Sequence, residues 1–381
     1  MIPVLYEKTE KEMTNWGLGQ IVDCQKAVVT EELNGDFTAE MIIPYTSPVY
    51  PLLMVDRIVK LKTPQNPSEW AQEGGTQPFR IVSISKPMAG MVTVKMEHVS
   101  AQLKKVIMKR WVDRPSYGLP YITRIPHVGS LDDFSFNIDI TGFSDEGMTA
   151  FPTIKTPMTC REYLQGKEGS LTDAYHCDWI FGRWVLNGFI VHAVDRRGAD
   201  RGLRIRYGYN MAGLKQDESI ANVWTGLYVY WKKEENGTVQ YVAATDAAYS
   251  QYAGYYAFER IQSMDVSNEF ETQPTAAQLL TWAQSYVDRN NYGVPAVSVT
   301  VDFKDVTESL GYEGQWDQSL YLGDTVHIDY ATLGIDLAAR VQKYTYDSIH
   351  EKYLTVDVGT VKPSITKSLA AVFRETGVKI R

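Results

Sequence analysis

The stretch Glu32-Leu-Asn-Gly-Asp-Phe-Thr-Ala-Glu-Met-Ile-Ile43 sets the reading of the whole chain. Asn-Gly supplies, at low steric cost, the two positive-φ residues of a type I′ hairpin turn. Beyond it Phe37, Ala39, Met41 and Ile43 alternate with Thr38 and Glu40, the period of a half-buried strand. The same grammar recurs twice. Trp184-Val-Leu186 faces Phe189-Ile-Val191 across Asn187-Gly188, and Leu227 to Trp231 returns through Val239 to Val242 across Asn236-Gly237. Three such hairpins predict a strand-dominated protein.

Elsewhere Val297, Val299, Val301 and Phe303 share one strand face, and further strands are expected at Val326–Ile328, Arg340–Tyr346 and Leu354–Val358. One helix is well marked. Thr275 with Gln278 forms a capping box behind Pro274, the apolar stripe is Leu279, Leu280, Ala283, Tyr286 and Val287, and Asn290-Asn-Tyr-Gly293 ends it. Shorter helical stretches are expected near 98–109 and 158–165, an exposed loop over 64–78, and a frayed helix from Ser364 to Arg381. An internal echo is also present. Asp56-Arg-Ile-Val-Lys-Leu, Phe79-Arg-Ile-Val-Ser-Ile and Met91-Val-Thr-Val-Lys-Met run in the order of Gly323-Asp-Thr-Val-His-Ile, Arg340-Val-Gln-Lys-Tyr and Tyr353-Leu-Thr-Val-Asp-Val. Strand type matches, not residue identity. A duplication would give two similar small barrels per chain, and six in a trimer.

The 381 residues fit about two to four domains. The 44% hydrophobic share is enough for a core, and the net charge of −8 opposes a phosphate-gripping role. Three cysteines are too few for a disulfide framework. The start lacks the features of a signal peptide, and no stretch approaches the roughly 18 apolar residues of a membrane span, so synthesis in a cytoplasm is expected.

Catalytic templates find poor matches. His350-Glu351 opens like a zinc-peptidase motif, but Leu354 stands where the second His belongs. Asp324 and His327 are expected on opposite faces of a strand, and His176-Cys177 are sequence neighbours that rarely face each other. Asp132-Asp133, Asp145-Glu146 and Glu31-Glu32 are paired acids of the kind a glycosidase uses, although adjacent acids are more often a solvated loop. Gly17-Leu-Gly reads as a turn. The densest positive run is Arg196 to Arg206, five Arg in 11 residues. Its arginine forks suit acids on a neighbouring domain or subunit, which makes Arg196, Arg197, Arg201, Arg204 and Arg206 candidate subunit or partner contacts. Trp16, Trp70, Trp224 and Trp316 are either interface anchors or ordinary core, and Trp224 joins the candidates. No catalytic, cofactor-binding or metal-binding residue is assigned.

Several of these strings occur together in one family. They are Val29-Thr-Glu-Glu-Leu-Asn-Gly-Asp-Phe-Thr-Ala-Glu, Gln77-Pro-Phe-Arg-Ile-Val, Val94-Lys-Met-Glu-His-Val-Ser-Ala-Gln-Leu, Gly169-Ser-Leu-Thr-Asp-Ala-Tyr, Arg197-Gly-Ala-Asp-Arg-Gly-Leu-Arg-Ile-Arg-Tyr-Gly-Tyr-Asn, Leu322-Gly-Asp-Thr-Val-His-Ile, and Arg340-Val-Gln-Lys-Tyr-Thr-Tyr-Asp. Met96, Ala101 and Tyr209 depart from the family pattern. In order and spacing over residues 20–360 the chain resembles the N-terminal hub region of phage minor structural proteins, the prophage endopeptidase tail or tail-associated lysin family.

The resemblance implies a mainly β (α+β) protein with two small β-barrel-like tube domains and inserted peripheral α+β domains. The expected divisions are a first tube domain over 1–105, completed by part of 215–265, an inserted peripheral domain over 106–214, and a second peripheral or return segment over 215–273. A connector helix over 274–292, a second tube domain over 293–363 and a tail over 364–381 follow. It also implies a homotrimeric ring at the virion tail tip or baseplate, docked on the distal tail protein ring. That ring would close or guide the channel for tape-measure protein and DNA, with DNA passing unbound, and carry a downstream fibre, spike or lysin. No cofactor, membrane insertion or enzyme activity is expected, because the family's peptidase or lysozyme-like domain has no counterpart here. The alternatives are a cell-wall hydrolase of the tail tip and a host receptor or glycan-binding module.

Overall fold

The computed structural model describes residues 1–360 except 67–68, 70–74, 86–89, 113–121, 142–150, 166–168, 186–187, 207–208, 236–237, 268, 271, 291, 304–319 and 331–334. It divides into two units, Met1–Lys215 with Val299–Val361, and a second centred on Gln216–Ser298. The expected tail over 364–381 lies outside the described residues, as do Trp70, Trp316 and Asp145-Glu146.

The first unit starts with β1 (Val4–Tyr6), β2 (Gly19–Gln20), β3 (Lys26–Glu32), β4 (Phe37–Pro44), β5 (Ile58–Lys62), β6 (Thr76–Ile84) and β7 (Met91–His98). Along β4 every second side chain is buried, from Phe37 through Ala39 and Met41 to Ile43, because one face of the sheet meets the core. Neighbours pair in the order β3-β4-β7-β6-β5, and β1 borders β5. The hairpin at Asn34 is longer than a type I′ turn. Glu31 pairs with Phe37, Asn34 has φ +53°, and Gly35 is not in the left-handed region. Asn34 spends its side chain elsewhere: its amide donates to Asp178 Oδ1 at 3.0 Å, and its Oδ1 accepts from the Trp179 N–H.

An inserted stretch follows, with β8 (Ile107–Met108), β9 (His127–Val128), β10 (Phe134–Asp139), β11 (Met158–Thr159), β12 (Asp178–Val185), β13 (Gly188–Val194) and β14 (Asp200–Arg206). Residues 99–105 form a 3₁₀ turn, and Cys160–Leu164 form α1 behind a Thr159–Glu162 capping box. A further short helix, α2 (Leu171–Tyr175), is one the hydrophobic pattern did not announce.

The remaining strands are β15 (Met211–Ser219), β16 (Gly226–Glu235), β17 (Thr238–Ala243), β18 (Ala248–Tyr249), β19 (Ile261–Asp265), β20 (Ala296–Phe303), β21 (Thr325–Tyr330), β22 (Ile335–Asp347) and β23 (Lys352–Thr360). In the large sheet β15, β20, β23, β22 and β21 stand side by side in that order. This repeats β3-β4-β7-β6-β5 strand for strand, and both β5-β6-β7 and β21-β22-β23 are antiparallel runs. The echo in the sequence is therefore a duplicated strand order. The copies differ at the outer edge, where β1 is antiparallel to β5 but β14 is parallel to β21. They are joined by β22, whose residues Lys343–Asp347 pair with β3. At the free edge of the first repeat β3 pairs with β22, which is long enough to serve both ladders.

In the second unit β16 is central, with β17, β18 and β19 around it. The helix α3 (Ala276–Arg289) has the expected capping box and buries Leu279, Ala283 and Val287 against Leu227, Val229 and Trp231 of β16. It is part of this unit's core.

Candidate functional site

The arginine run enters from β13, whose last residue is Val194, and crosses the turn that begins β21. At the crossing Gly198 (φ +78°) and Gly323 (φ +85°) lie back to back. A Cβ on Gly198 would run into the Gly323 carbonyl carbon, and one on Gly323 into the Arg197 carbonyl. Only glycine permits both the left-handed φ and this approach.

Arg197 is turned inward. Its Nη1 donates to Glu31 Oε1 at 2.7 Å and its Nε to Glu69 Oε2 at 2.9 Å, with all three side chains buried. Across the β3–β22 pair Tyr344 lies opposite Glu31 and donates its hydroxyl to Oε2 at 2.5 Å. The Arg197 backbone N–H donates to Asp178 Oδ2 at 2.7 Å, and Arg340 Nη2 donates both to Asp178 and to the Arg197 carbonyl. Asp324 accepts from the Ala199 N–H at 2.8 Å and the Tyr321 N–H at 3.0 Å, and pairs with Arg201 Nε at 3.3 Å.

These contacts form a clasp that ties the first repeat, the inserted stretch and the second repeat together. Four carboxylates (Glu31, Glu69, Asp178, Asp324) face three guanidinium groups (Arg197, Arg201, Arg340), so one negative charge is in excess. Burial pushes the Glu69 carboxyl above its ordinary value despite Arg197. Burial works against the Arg197 charge, but Glu31 and Glu69 hold it firmly protonated. Burial also raises the Tyr344 phenol well above its ordinary value, so it donates to Glu31 as the neutral hydroxyl.

A second buried site is neutral. His98 Nε2 meets Gln77 Oε1 at 2.9 Å, while the Gln77 amide donates to the carbonyls of Phe181 and Gly182 at 3.1 and 2.9 Å. The proton of His98 therefore sits on Nε2, and Nδ1 accepts from Ser100. Stacking on Phe37 (4.4 Å between centroids) and full burial hold the imidazole well below its usual pKa.

Among the candidates from the sequence, Arg196, Arg197 and Arg201 converge on the start of β21, with Arg196 Nη2 donating to Thr325 Oγ1 at 2.6 Å. Arg204 and Arg206 project from β14 into solvent, and Arg206 lies 3.8 Å from Asp329. Arg197 is enclosed by acids of its own chain, Glu31 and Glu69. Trp224 lies in the second unit and is 43% exposed.

The paired-residue templates come apart. Asp324 is buried in the clasp, while His327 contacts Asp200 at 3.1 Å. His350 contacts Asp347 at 2.8 Å in the exposed turn before β23. His176 ends α2 with φ +54°, and burial raises the Cys177 thiol pKa. Glu31 and Glu32 point to opposite faces of β3. Among the described residues no three His, Cys, Asp or Glu side chains gather as a metal site, and no helix is long and apolar enough to cross a membrane.

The loop over 64–78 is only partly exposed. Glu69 is buried on Arg197, and β6 begins at Thr76. Glu69, Asp178, Arg340 and Tyr344 were missed as site residues. For Glu31 a signal existed: it continues the buried phase of Ala27 and Val29, which puts a carboxylate on an apolar face.

Four of the strings that carried the resemblance meet in the clasp, through Glu31, through Arg197 and Arg201, through Asp324, and through Arg340 and Tyr344. Residues 199–369 match the prophage endopeptidase tail family. No curated protein matches the chain. Among solved structures, the prophage tail protein gp18 of Listeria monocytogenes EGD-e is 14% identical, with a TM-score of 0.52 over 99% of this chain and 100% of that one. The 43 kDa tail protein of prophage MuSo2 from Shewanella oneidensis is 10% identical, with a TM-score of 0.50 over 96% and 99%. These likenesses are of fold. The matched segment contains Arg201, Asp324, Arg340 and Tyr344 of the clasp, whereas Glu31, Glu69, Asp178 and Arg197 precede it.

Proposed function

We propose that the chain is the structural hub of a phage tail tip, three copies forming a ring that continues the tail tube. The observation that carries this reading is the duplicated strand order within one chain. Three chains with two similar repeats each present six similar units, which reconciles threefold with sixfold symmetry. The prophage-tail match supports a tail structural role.

In this reading the ring docks on the distal tail protein, carries a fibre, spike or lysin, and guides tape-measure protein and DNA outward from a site in the virion tail tip. The net charge of −8 per chain favours passage of DNA without adhesion. The role is one of shape and charge, not catalysis. Asp324, Arg197 and His98, the groups best placed for chemistry, are committed to holding segments together.

Light scattering on the purified chain, with and without the distal tail protein of the same prophage, tests the ring. A threefold mass in either sample is expected, and a monomer in both overturns it. Clearing of peptidoglycan in a zymogram would favour the hydrolase alternative, and adsorption of this chain alone to host cells the receptor-binding one.

A further inference from the structure

Among the described residues of the second unit, α3 covers one sheet face and no element covers the other. Residues opposite each other across the ladders share a face, so Tyr228, Tyr230, Tyr241, Tyr249, Val239 and Ile261 all lie on the side away from the helix. Val239 is 61% exposed and Tyr241 57%. Tyr230 and Tyr241 stack with centroids 5.8 Å apart. Tyr249 and Ile261 close over Gly226, where a Cβ would lie 3.2 and 2.8 Å from them. The patch is bordered by Glu234, Glu259 and Asp265, with Lys232 paired to Asp265 at 3.2 Å. Over Gln216–Ser298 as a whole, ten Asp or Glu stand against four Lys or Arg.

The opposite composition occurs at the end of the chain. Lys362–Arg381 has five Lys or Arg and one Glu. Its apolar residues Ile365, Leu369, Val372 and Phe373 recur at helical spacing behind Pro363-Ser364, and Lys367 and Arg374 fall on the opposite side of that pattern. Phe303 at the end of β20 meets Tyr353 near the start of β23, 5.9 Å between centroids, so β23 finishes beside the start of β20, the strand that follows α3. From there a segment of this length reaches up to roughly 65 Å when extended.

We propose that Lys362–Arg381 docks on the tyrosine face of β16, β17 and β19. The stripe of Ile365, Leu369, Val372 and Phe373 covers the rings, and Lys367, Arg374 and Lys379 meet the border of carboxylates. Tyrosine suits this contact because its ring is apolar, its hydroxyl stays wet, and its face attracts cations. The inference stands apart from the hub reading and survives its failure.

Zero-length carbodiimide cross-linking of the full chain tests it. Lys367 or Lys379 should join Glu234, Glu259 or Asp265, and the mass of the linked species tells a tail from the same chain from one donated by a neighbouring copy. In the double variant K367E/R374E the amides of β17 should exchange with solvent about tenfold faster, the factor that two surface ion pairs near the top of their usual range give together. Tyr241→Glu in place of the tail changes should give the same loss. Links from the tail only to carboxylates of Met1–Lys215, links between the sheet faces of two copies, or unchanged exchange in both variants would each overturn it.

Discussion

In the first repeat, β6 and β7 reach the inserted stretch through neutral groups, with His98 holding Gln77 and Gln77 holding two β12 carbonyls. In the second, β21 and β22 reach the same stretch through Asp324, Arg340 and the buried Arg197. The first repeat thus adds a neutral fastening at β6 and β7 to its share of the ionic clasp, which it enters through Glu31 and Glu69. A neutral hydrogen bond contributes modestly and is moderately costly to leave unmade. A buried ion network contributes little net over an apolar core, yet is expensive to break on one side. The second fastening is therefore the more demanding of the two, and loss of one of its partners is the costlier change.

The largest expected effect breaks that contrast at its centre. Arg197→Met leaves Glu31 and Glu69 buried without their cation and should cost about 3–5 kcal/mol in urea unfolding. Adding Glu31→Gln and Glu69→Gln should recover most of the loss. If the single variant is as stable as the parent, the clasp is not a keystone.

Next is Gly198→Ala, which places a Cβ at φ +78° against the Gly323 backbone. A loss of roughly 2–4 kcal/mol is expected from left-handed strain and overpacking, and an unchanged melting temperature would refute the close crossing. In the first repeat Gln77→Leu removes the amide donor to the Phe181 and Gly182 carbonyls and the acceptor of His98 Nε2, and should cost about 1–3 kcal/mol.

The two fastenings also respond to pH in opposite senses. Burial holds His98 neutral in the folded chain, while the unfolded imidazole takes up a proton near pH 6.5. The unfolded state then binds more protons, so this contribution to stability is lost as pH falls below 6.5. Glu69 has a raised folded pKa, so its stabilising effect is present at low pH and is lost as pH rises from its unfolded value through its folded one. Melting temperatures between pH 7.5 and 5.5 should fall on the acid side in the parent and fall less in His98→Gln. The smallest effect sharpens the comparison from outside. Lys26→Ala removes the exposed Lys26–Glu40 pair and should change stability by under about 0.5 kcal/mol.

Strand identity was legible wherever alternation met a turn residue. Phe37 to Ile43 and the hairpin from Trp184 to Phe189 read correctly because a sheet with one buried face imposes a period of two on its sequence. The capping box at Thr275 was equally plain, since its two bonds join residues three apart. Asn34 misled because the dipeptide favours a tight turn, whereas here its side chain is drawn to Asp178.

By itself, then, the sequence determined which segments are strands, that two groups of them follow one order, and that the chain resembles a tail family. These are local or repeated signals, carried by neighbours along the backbone. Only the tertiary structure decided that β22 joins the two groups, and that Arg197 closes inward on Glu31 and Glu69 when its outer neighbours stay in solvent. Arg197 and Glu31 are 166 positions apart, and a side chain's charge is visible in a sequence whereas the burial that gives the charge its energetic weight is not.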